Sequence, residues 1–200
     1  MHPGSVTEPA SQDPRVLRSR AALMGAAVRL VSERGSTALS VKDLAEAAGV
    51  SRQLVYLQFG DRDTLLVEAA ADLVRRELFE GMEDDDPRAW ASAMARHFAG
   101  RRAFYRAMLT GSCAFAMTRT LTGLFGGVND TFLRRRFGVV DEDVAHDLAA
   151  FVAGGTGAVV NDWLIDGDDP LDPEALARRL LRLTAVVTGT PAPADEGETR

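Results

Sequence analysis

The sequence predicts an all-α fold of about nine helices, and three observations carry that reading. Apolar residues recur at helical spacings of three and four through almost the whole 200-residue chain. Long alternating runs of β-branched residues, which would mark strands, are absent. Helix punctuation returns at short intervals, with Ser, Asp or Pro at starts and Gly at stops. A content of 46% hydrophobic and 26% charged residues fits an ordinary soluble globular chain rather than a disordered one.

Residues 1–13 are rich in Pro, Ser, Gly and Thr and read as a disordered tail. The first helix is expected over about 14–34, with Leu17, Ala21, Met24, Val28 and Val31 as its apolar stripe, Pro14 in its first turn and Gly35 as its stop. Ser40 suits the cap of a short helix over 41–48, with Asp43 as its capping-box partner and Gly49 as its close. Ser51 then caps a second short helix over about 52–58. Phe59-Gly60-Asp61 is a turn, and Asp61 or Asp63 starts a long helix reaching about 79.

The acids 83–86 followed by Pro87 read as a linker. Helices follow over about 87–99, 102–109 and 113–136, the last stopped by Gly138. Asp141, Glu142 and Asp143 place favourable negative charge at the next helix start, and that helix reaches about 165. Residues 166–170 form a turn, Asp172-Pro173 opens a last helix to about 188, and 190–200 read as a second tail. There is no internal repeat. The resulting division is a small unit over 14–62 and a larger helical body over 63–189.

Charge divides along the same line. The net charge is −6, yet 14–62 holds eight bases against four acids, whereas 63–200 holds 15 bases against 23 acids. A basic module ahead of an acidic body points to a nucleic-acid contact confined to one end. Cys113 is the only cysteine, so no intrachain disulfide and no Cys-based zinc site can form, and a reducing compartment fits. The N-terminus lacks a basic start followed by an apolar core, so it does not read as a signal peptide. The longest charge-free stretches run about a dozen residues, short of the roughly 20 that a membrane span needs. The expectation is a cytoplasmic protein with no membrane partner, no metal and no cofactor.

The segment 40–59 is the informative one. Two short helices flank Gly49-Val50-Ser51; Leu44, Ala45, Ala48, Val50 and Val55 can face inward, and the second helix starts polar. This is a helix-turn-helix pattern, whose second helix enters the major groove N-terminus first. The residues placed to meet bases are Arg52, Gln53 and Leu54, suited to guanine, adenine and a thymine methyl respectively. Ser40, Lys42, Ser51, Tyr56 and Arg62 are candidate phosphate contacts, which set register without reading sequence.

The string from Thr37 to Leu66 resembles the DNA-binding domain of the TetR family of bacterial repressors. That family's pattern is Gly-Val-Ser, three variable positions, an aliphatic residue, Tyr, two residues and Phe; here these are Gly49-Val50-Ser51, Val55, Tyr56 and Phe59. The nine-helix count and the order of basic reader then acidic body agree. Leu57 departs from a position more often polar or aromatic, and Gln58 stands where His is frequent, so Leu57 is not counted as a DNA contact.

The resemblance implies that the body dimerises and holds a small ligand. The residues offer their own support for a homodimer: Leu176, Leu180, Leu183 and Val187 make one stripe in the last helix, and Phe151, Gly154 and Ala158 a mixed small and bulky face in the helix before it. A ligand pocket is expected between the central helices. Its candidate lining is Trp90, Met94, His97, Phe98, Tyr105, Met108, Phe115, Phe125 and Asn129, with Phe104, Met117 and Phe132 nearby. Few of these are polar, which points to a mostly apolar effector, although such side chains more often form core.

Other features carry less. A calcium loop starting at Asp166 would need Gly at 171 and Glu at 177, where the chain has Leu171 and Ala177. Arg134-Arg135-Arg136 suits a helix C-terminus. Neither Cys113 nor His97 shows a paired base and orienting group, so an enzyme is disfavoured. The expectation is a ligand-responsive repressor that binds a near-palindromic double-stranded operator as a dimer. Its rivals are a helical interaction module or a small-molecule enzyme with a vestigial helix-turn-helix.

Overall fold

A computed structural model describes residues 13–80, 86–137 and 141–189, and their side chains except those of 128–137 and 188. Residues 1–12, the acidic stretch 81–85, residues 138–140 with the expected stop Gly138, and residues 190–200 lie outside the described part, as do the side chains of Asn129, Phe132 and Arg134 to Arg136. Among the described residues there are nine α-helices and no strand: α1 Pro14–Arg34, α2 Val41–Ala48, α3 Arg52–Phe59, α4 Arg62–Val74, α5 Pro87–Gly100, α6 Arg102–Thr110, α7 Ala114–Phe137, α8 Glu142–Asp166 and α9 Pro173–Thr188. These bounds follow the sequence expectations to within a residue or two, except that a π-helical turn, Arg75–Phe79, continues α4.

Local chemistry accounts for the starts. Asp13, Asp61, Asp86, Asp141 and Asp172 each accept a hydrogen bond from a main-chain N–H of the helix they open, satisfying donors that have no partner within the helix. The α1 stripe differs from expectation. Its buried face is Leu23, Ala26, Ala27, Val28, Leu30 and Val31, whereas Leu17 and Ala21 are exposed. Elements grip α1 from Arg20 onward, where the side chain bonds the Gln58 carbonyl at 3.0 Å, and residues 13–18 before it are exposed among the described residues.

Helix α4 is the spine. Leu65, Leu66, Val67, Ala69, Ala70, Ala71, Leu73 and Val74 are all buried, because α4 packs on α1, α3 and α7. Leu66 is fully buried, and truncating it to Ala would cost about 2–5 kcal/mol. The body is tied by directed polar contacts. Arg102 donates to the carbonyls of Leu164 (3.1 Å), Gly167 (2.6 Å) and Asp168 (2.9 Å), so a fixed cation closes the C-terminus of α8. Ser92 and Arg96 of α5 both reach Glu174 of α9.

Candidate nucleic-acid interface and aromatic core

The corner between α2 and α3 is built from short-range hydrogen bonds. Ser40 Oγ accepts from the Asp43 N–H (3.1 Å) and the Asp43 carboxylate accepts from the Ser40 N–H (3.4 Å), a complete capping box. Arg34 bonds the same carboxylate at 3.0 Å and, with Ser40, holds its pKa below the usual range. Gly49 ends α2 at φ +67, a left-handed conformation that costs an L side chain about 1–2 kcal/mol. Ser51 Oγ then accepts from Leu54 N–H to start α3.

The corner turns one side of α3 inward and the other out. Val55 and Phe59 are buried. Arg52, Gln53, Tyr56 and Leu57 are exposed, Leu57 at 80%. Residues 52 and 56, and 53 and 57, are each one helical turn apart, so these four share a face. Leu54 is half-buried. The hydroxyls of Ser40 and Ser51 accept from main-chain N–H groups and keep their own protons for a further acceptor. Lys42 is exposed, its ammonium 3.8 Å from Glu46.

Arg62, at the first turn of α4, is engaged more fully. It donates to Asp63, to the Leu39 carbonyl (3.3 Å) and to Ser112 Oγ (3.3 Å). It lines an open cleft of about 460 Å³ with Leu39, Ser40, Val41, Asp61 and Asp63, where the starts of α2 and α4 converge.

Two residues that matter to this geometry carried no sequence signal of their own. Leu57 is 80% exposed on the outward face of α3, beside Tyr56 at 55%. Arg20 clamps three elements together. It bonds the Gln58 carbonyl, pairs with Glu68 of α4 and lies 4.3 Å from the centroid of the Phe59 ring. An Arg on a helix has no sequence mark that separates a clamp from a solvated charge.

In the body, Met94, Phe98, Tyr105 and Met108 are buried together with Phe104 and Met117. Trp90 and Phe125 are half-buried against this core. Phe79, from the π turn, joins them: its ring lies 5.5 Å from that of Phe125 and 5.8 Å from that of Trp90. Phe98 continues the chain of rings to Tyr105 at 4.7 Å. Phe115 stands apart, 80% exposed on α7, because its neighbours Cys113 and Met117 take the inward positions.

His97 has both ring nitrogens engaged. Nε2 lies 2.8 Å from Tyr105 Oη and Nδ1 3.3 Å from the Glu77 carboxylate, which Arg101 also binds. Burial lowers the imidazole pKa, the Glu77 charge opposing it. Burial also raises that of Tyr105 and of the Cys113 thiol, whose Ser112 hydrogen bond pulls the other way. No group of three His, Cys, Asp or Glu among the described residues is placed to hold a metal.

The two expected stripes on α8 and α9 divide. Leu176 and Leu180 face the chain's own core, packed toward α5. Phe151, Ala158, Leu183 and Val187 are exposed, with Val144 and Val186 beside them, and Gly154 is half-buried. Helix α8 is long and apolar enough to cross a membrane by length and composition, its most apolar 18-residue stretch having a mean hydropathy of 1.4. The charge-free run is shorter than a span because Asp162 interrupts the apolar stretch without offsetting its apolar content.

Residues 23–69 match the family model described as bacterial regulatory proteins, tetR family. No curated protein sequence matches the chain. Among solved structures it is similar to the dihydroxyacetone kinase operon activator DhaS, at 14% identity and a TM-score of 0.63, covering 84% of this chain and 95% of that one. It is similar to a TetR transcriptional regulator from Rhodococcus sp. RHA1, at 17% identity, a TM-score of 0.59 and coverage of 85% and 97%. It is also similar to Thermus thermophilus FadR, a TetR family transcriptional repressor solved in complex with lauroyl-CoA, at 19% identity, a TM-score of 0.57 and coverage of 90% and 100%. At these identities the likeness is one of fold.

Proposed function

We propose that this chain, which has the fold of the TetR-family DNA-binding transcriptional regulators, is a ligand-responsive repressor that binds a near-palindromic operator as a homodimer in the cytoplasm. The observation that carries the reading is the outward face of α3. Arg52, Gln53 and Tyr56 stand exposed on a helix whose other side is locked into the core by Val55 and Phe59. In the groove, Arg52 and Gln53 read base edges, with Leu54 against a thymine methyl, while Ser40, Lys42, Ser51, Tyr56 and Arg62 meet phosphates. The acidic body repels DNA elsewhere and so orients the dimer.

The second copy is proposed to cover the exposed apolar residues of α8 and α9. Only 22% of the apolar stretch of α8 is buried in one protomer. A dimer sheltering it accounts for that surface without a membrane, and it sets two reading helices about 34–36 Å apart. The effector is proposed to enter beside Trp90, Phe98, Tyr105 and Phe125. The lauroyl-CoA bound by Thermus thermophilus FadR supports a ligand with a mostly apolar body. Effector binding then shifts α4, which is continuous from the reader to Phe79, and changes the spacing of the two reading helices. By linkage, operator and effector weaken each other's binding equally.

Selection of bound sites from random and genomic DNA, followed by footprinting, tests this reading. A two-fold site with half-sites one helical turn apart supports it. Recovery of no preferred sequence would overturn it in favour of an interaction module.

A further inference from the structure

Arg62 sits in the seam between reader and body. On the body side, the α6–α7 corner brings Gly111 against the α1–α2 loop: a Cβ added at Gly111 would fall 2.1 Å from Thr37 Oγ1 and 2.9 Å from the Ala107 carbonyl. Thr37 is the buried polar residue among those described. Two residues further along that loop, the Leu39 carbonyl accepts from Arg62 Nη1, and the next residue of the corner, Ser112, accepts from Arg62 Nη2, both at 3.3 Å. Asp63 takes Nε at 2.7 Å and Nη2 at 2.6 Å.

A guanidinium has five N–H donors. Nε donates to Asp63, Nη1 to Leu39 and Nη2 to Ser112, so each of the three nitrogens holds a hydrogen-bond partner, and the Asp63 carboxylate also lies against Nη2. An Arg held this way is engaged at every nitrogen and half neutralised by its neighbour. A phosphate that takes a fork of two N–H groups must approach nitrogens that already hold a partner, and so competes with those partners. Asp63 is adjacent in the chain and shares α4 with Arg62, and Leu39 belongs to the reader; Ser112 is the partner supplied by the distant α6–α7 corner.

We propose that Ser112 is a latch on Arg62. The body's α6–α7 corner and a DNA phosphate compete for the same guanidinium, so the corner's grip sets how readily the reader engages DNA. This rests on the reading of Arg62 as a phosphate contact and deepens it by naming the group that opposes it. Displacements of the end of α6 pass to the reader through the Thr37–Gly111 contact and through this hydrogen bond together. Linkage then requires DNA binding to loosen the corner, as loosening the corner favours DNA.

The test uses full-length protein and an operator fragment obtained by site selection, with affinity read by fluorescence anisotropy and folding checked by thermal melting. Ser112→Ala is expected to tighten DNA binding about threefold to tenfold, the worth of one ordinary hydrogen bond at an exposed site. Ser112→Thr keeps the hydroxyl and returns the affinity toward wild type. In an Arg62→Ala background, Ser112→Ala has no effect, which a general loosening of the fold would not produce. Hydrogen exchange at 107–114 rises when DNA is added. A folded Ser112→Ala variant with unchanged or weaker affinity, or a gain that persists without Arg62, overturns the latch while leaving the DNA-binding reading intact. Failure of the wild type to bind any selected DNA overturns that reading, and the latch with it.

Discussion

His97 Nε2 lies 2.8 Å from the hydroxyl of the fully buried Tyr105, while its Nδ1 faces Glu77 in the π turn that ends the α4 segment. The imidazole thus joins α4 to α5 and α6 through a polar bridge inside an otherwise aromatic core. Its pKa is lowered in the folded state, chiefly by burial, with Glu77 opposing and Arg101 assisting.

The sign of the pH dependence follows. The unfolded chain protonates this His near its ordinary value of about 6.5, before the folded chain does. The stabilisation is therefore present above that pH and is lost as pH falls through the lowered folded value. Thermal melts from pH 8 to pH 5 should show the wild type losing more stability than His97→Gln, which cannot titrate. Parallel pH profiles would show that His97 is not the group responsible.

Arg20 yields a second prediction. Its contacts with the Gln58 carbonyl, Glu68 and the Phe59 ring fix the C-terminal end of α3 against α1 and α4. The pair with Glu68 is about a third exposed, so solvent screening keeps its share to at most about 1 kcal/mol. With one main-chain hydrogen bond and a cation–π contact added, Arg20→Ala should cost about 1–3 kcal/mol in denaturant unfolding. Arg20→Lys should recover only part, because Lys lacks the fork.

On the proposed operator, Arg52→Ala and Gln53→Ala should each cost about 1–3 kcal/mol and relax preference at one base position. Arg62→Ala should instead weaken binding to all sequences and flatten the salt slope by about one unit. Leu57→Ala separates two roles for that exposed side chain: a groove contact lowers affinity for the selected site, whereas an idle residue leaves it unchanged. Unaltered sequence preference in both the Arg52 and Gln53 variants would refute the assignment of α3 as reader.

Much of this architecture was legible because local chemistry writes it. Ser40 with Asp43, Gly49, Ser51 and Pro173 mark helix ends by hydrogen bonds and backbone geometry that act within four residues. What was not legible depends on long-range packing. The apolar period of α1 ran through Leu17 and Ala21, yet which turns are buried is decided by where α2, α3 and α4 meet it. Periodicity likewise grouped Leu176 and Leu180 with Leu183 and Val187. Helix α5 covers the first pair and leaves the second exposed. Phe115 and Phe79 changed places for the same reason, since an aromatic residue does not state which neighbour it will face.

Gly111 should tolerate no side chain. In Gly111→Ala the new methyl meets Thr37 Oγ1 at 2.1 Å and a main-chain carbonyl at 2.9 Å, and overpacking of this kind costs about 1–3 kcal/mol. Adding Thr37→Ser removes a methyl but not the hydroxyl and should not rescue, whereas Thr37→Ala should rescue in part, the Ala107 carbonyl remaining. Chemical denaturation of the single and double variants measures this. Additive effects would show that the two residues do not share the seam.

The last prediction concerns the proposed dimer. Phe151 is 68% exposed and Leu183 45% exposed in one protomer, and burying an apolar side chain of this size is worth about 1.5–3 kcal/mol. A two-fold interface uses each residue twice. Phe151→Glu with Leu183→Glu should therefore shift sedimentation from dimer to monomer while leaving helix content and the melting of each protomer's own core largely intact. Leu180→Glu, placed in the intrachain core, should instead unfold the body. Operator affinity should fall steeply in the Phe151 and Leu183 variant, because half-sites bound by separate chains lose the coupling that one dimer supplies. A doubly substituted protein that remains dimeric would move the interface away from α8 and α9. One that is monomeric yet binds the full operator as tightly as the wild type would remove the need for a dimer altogether.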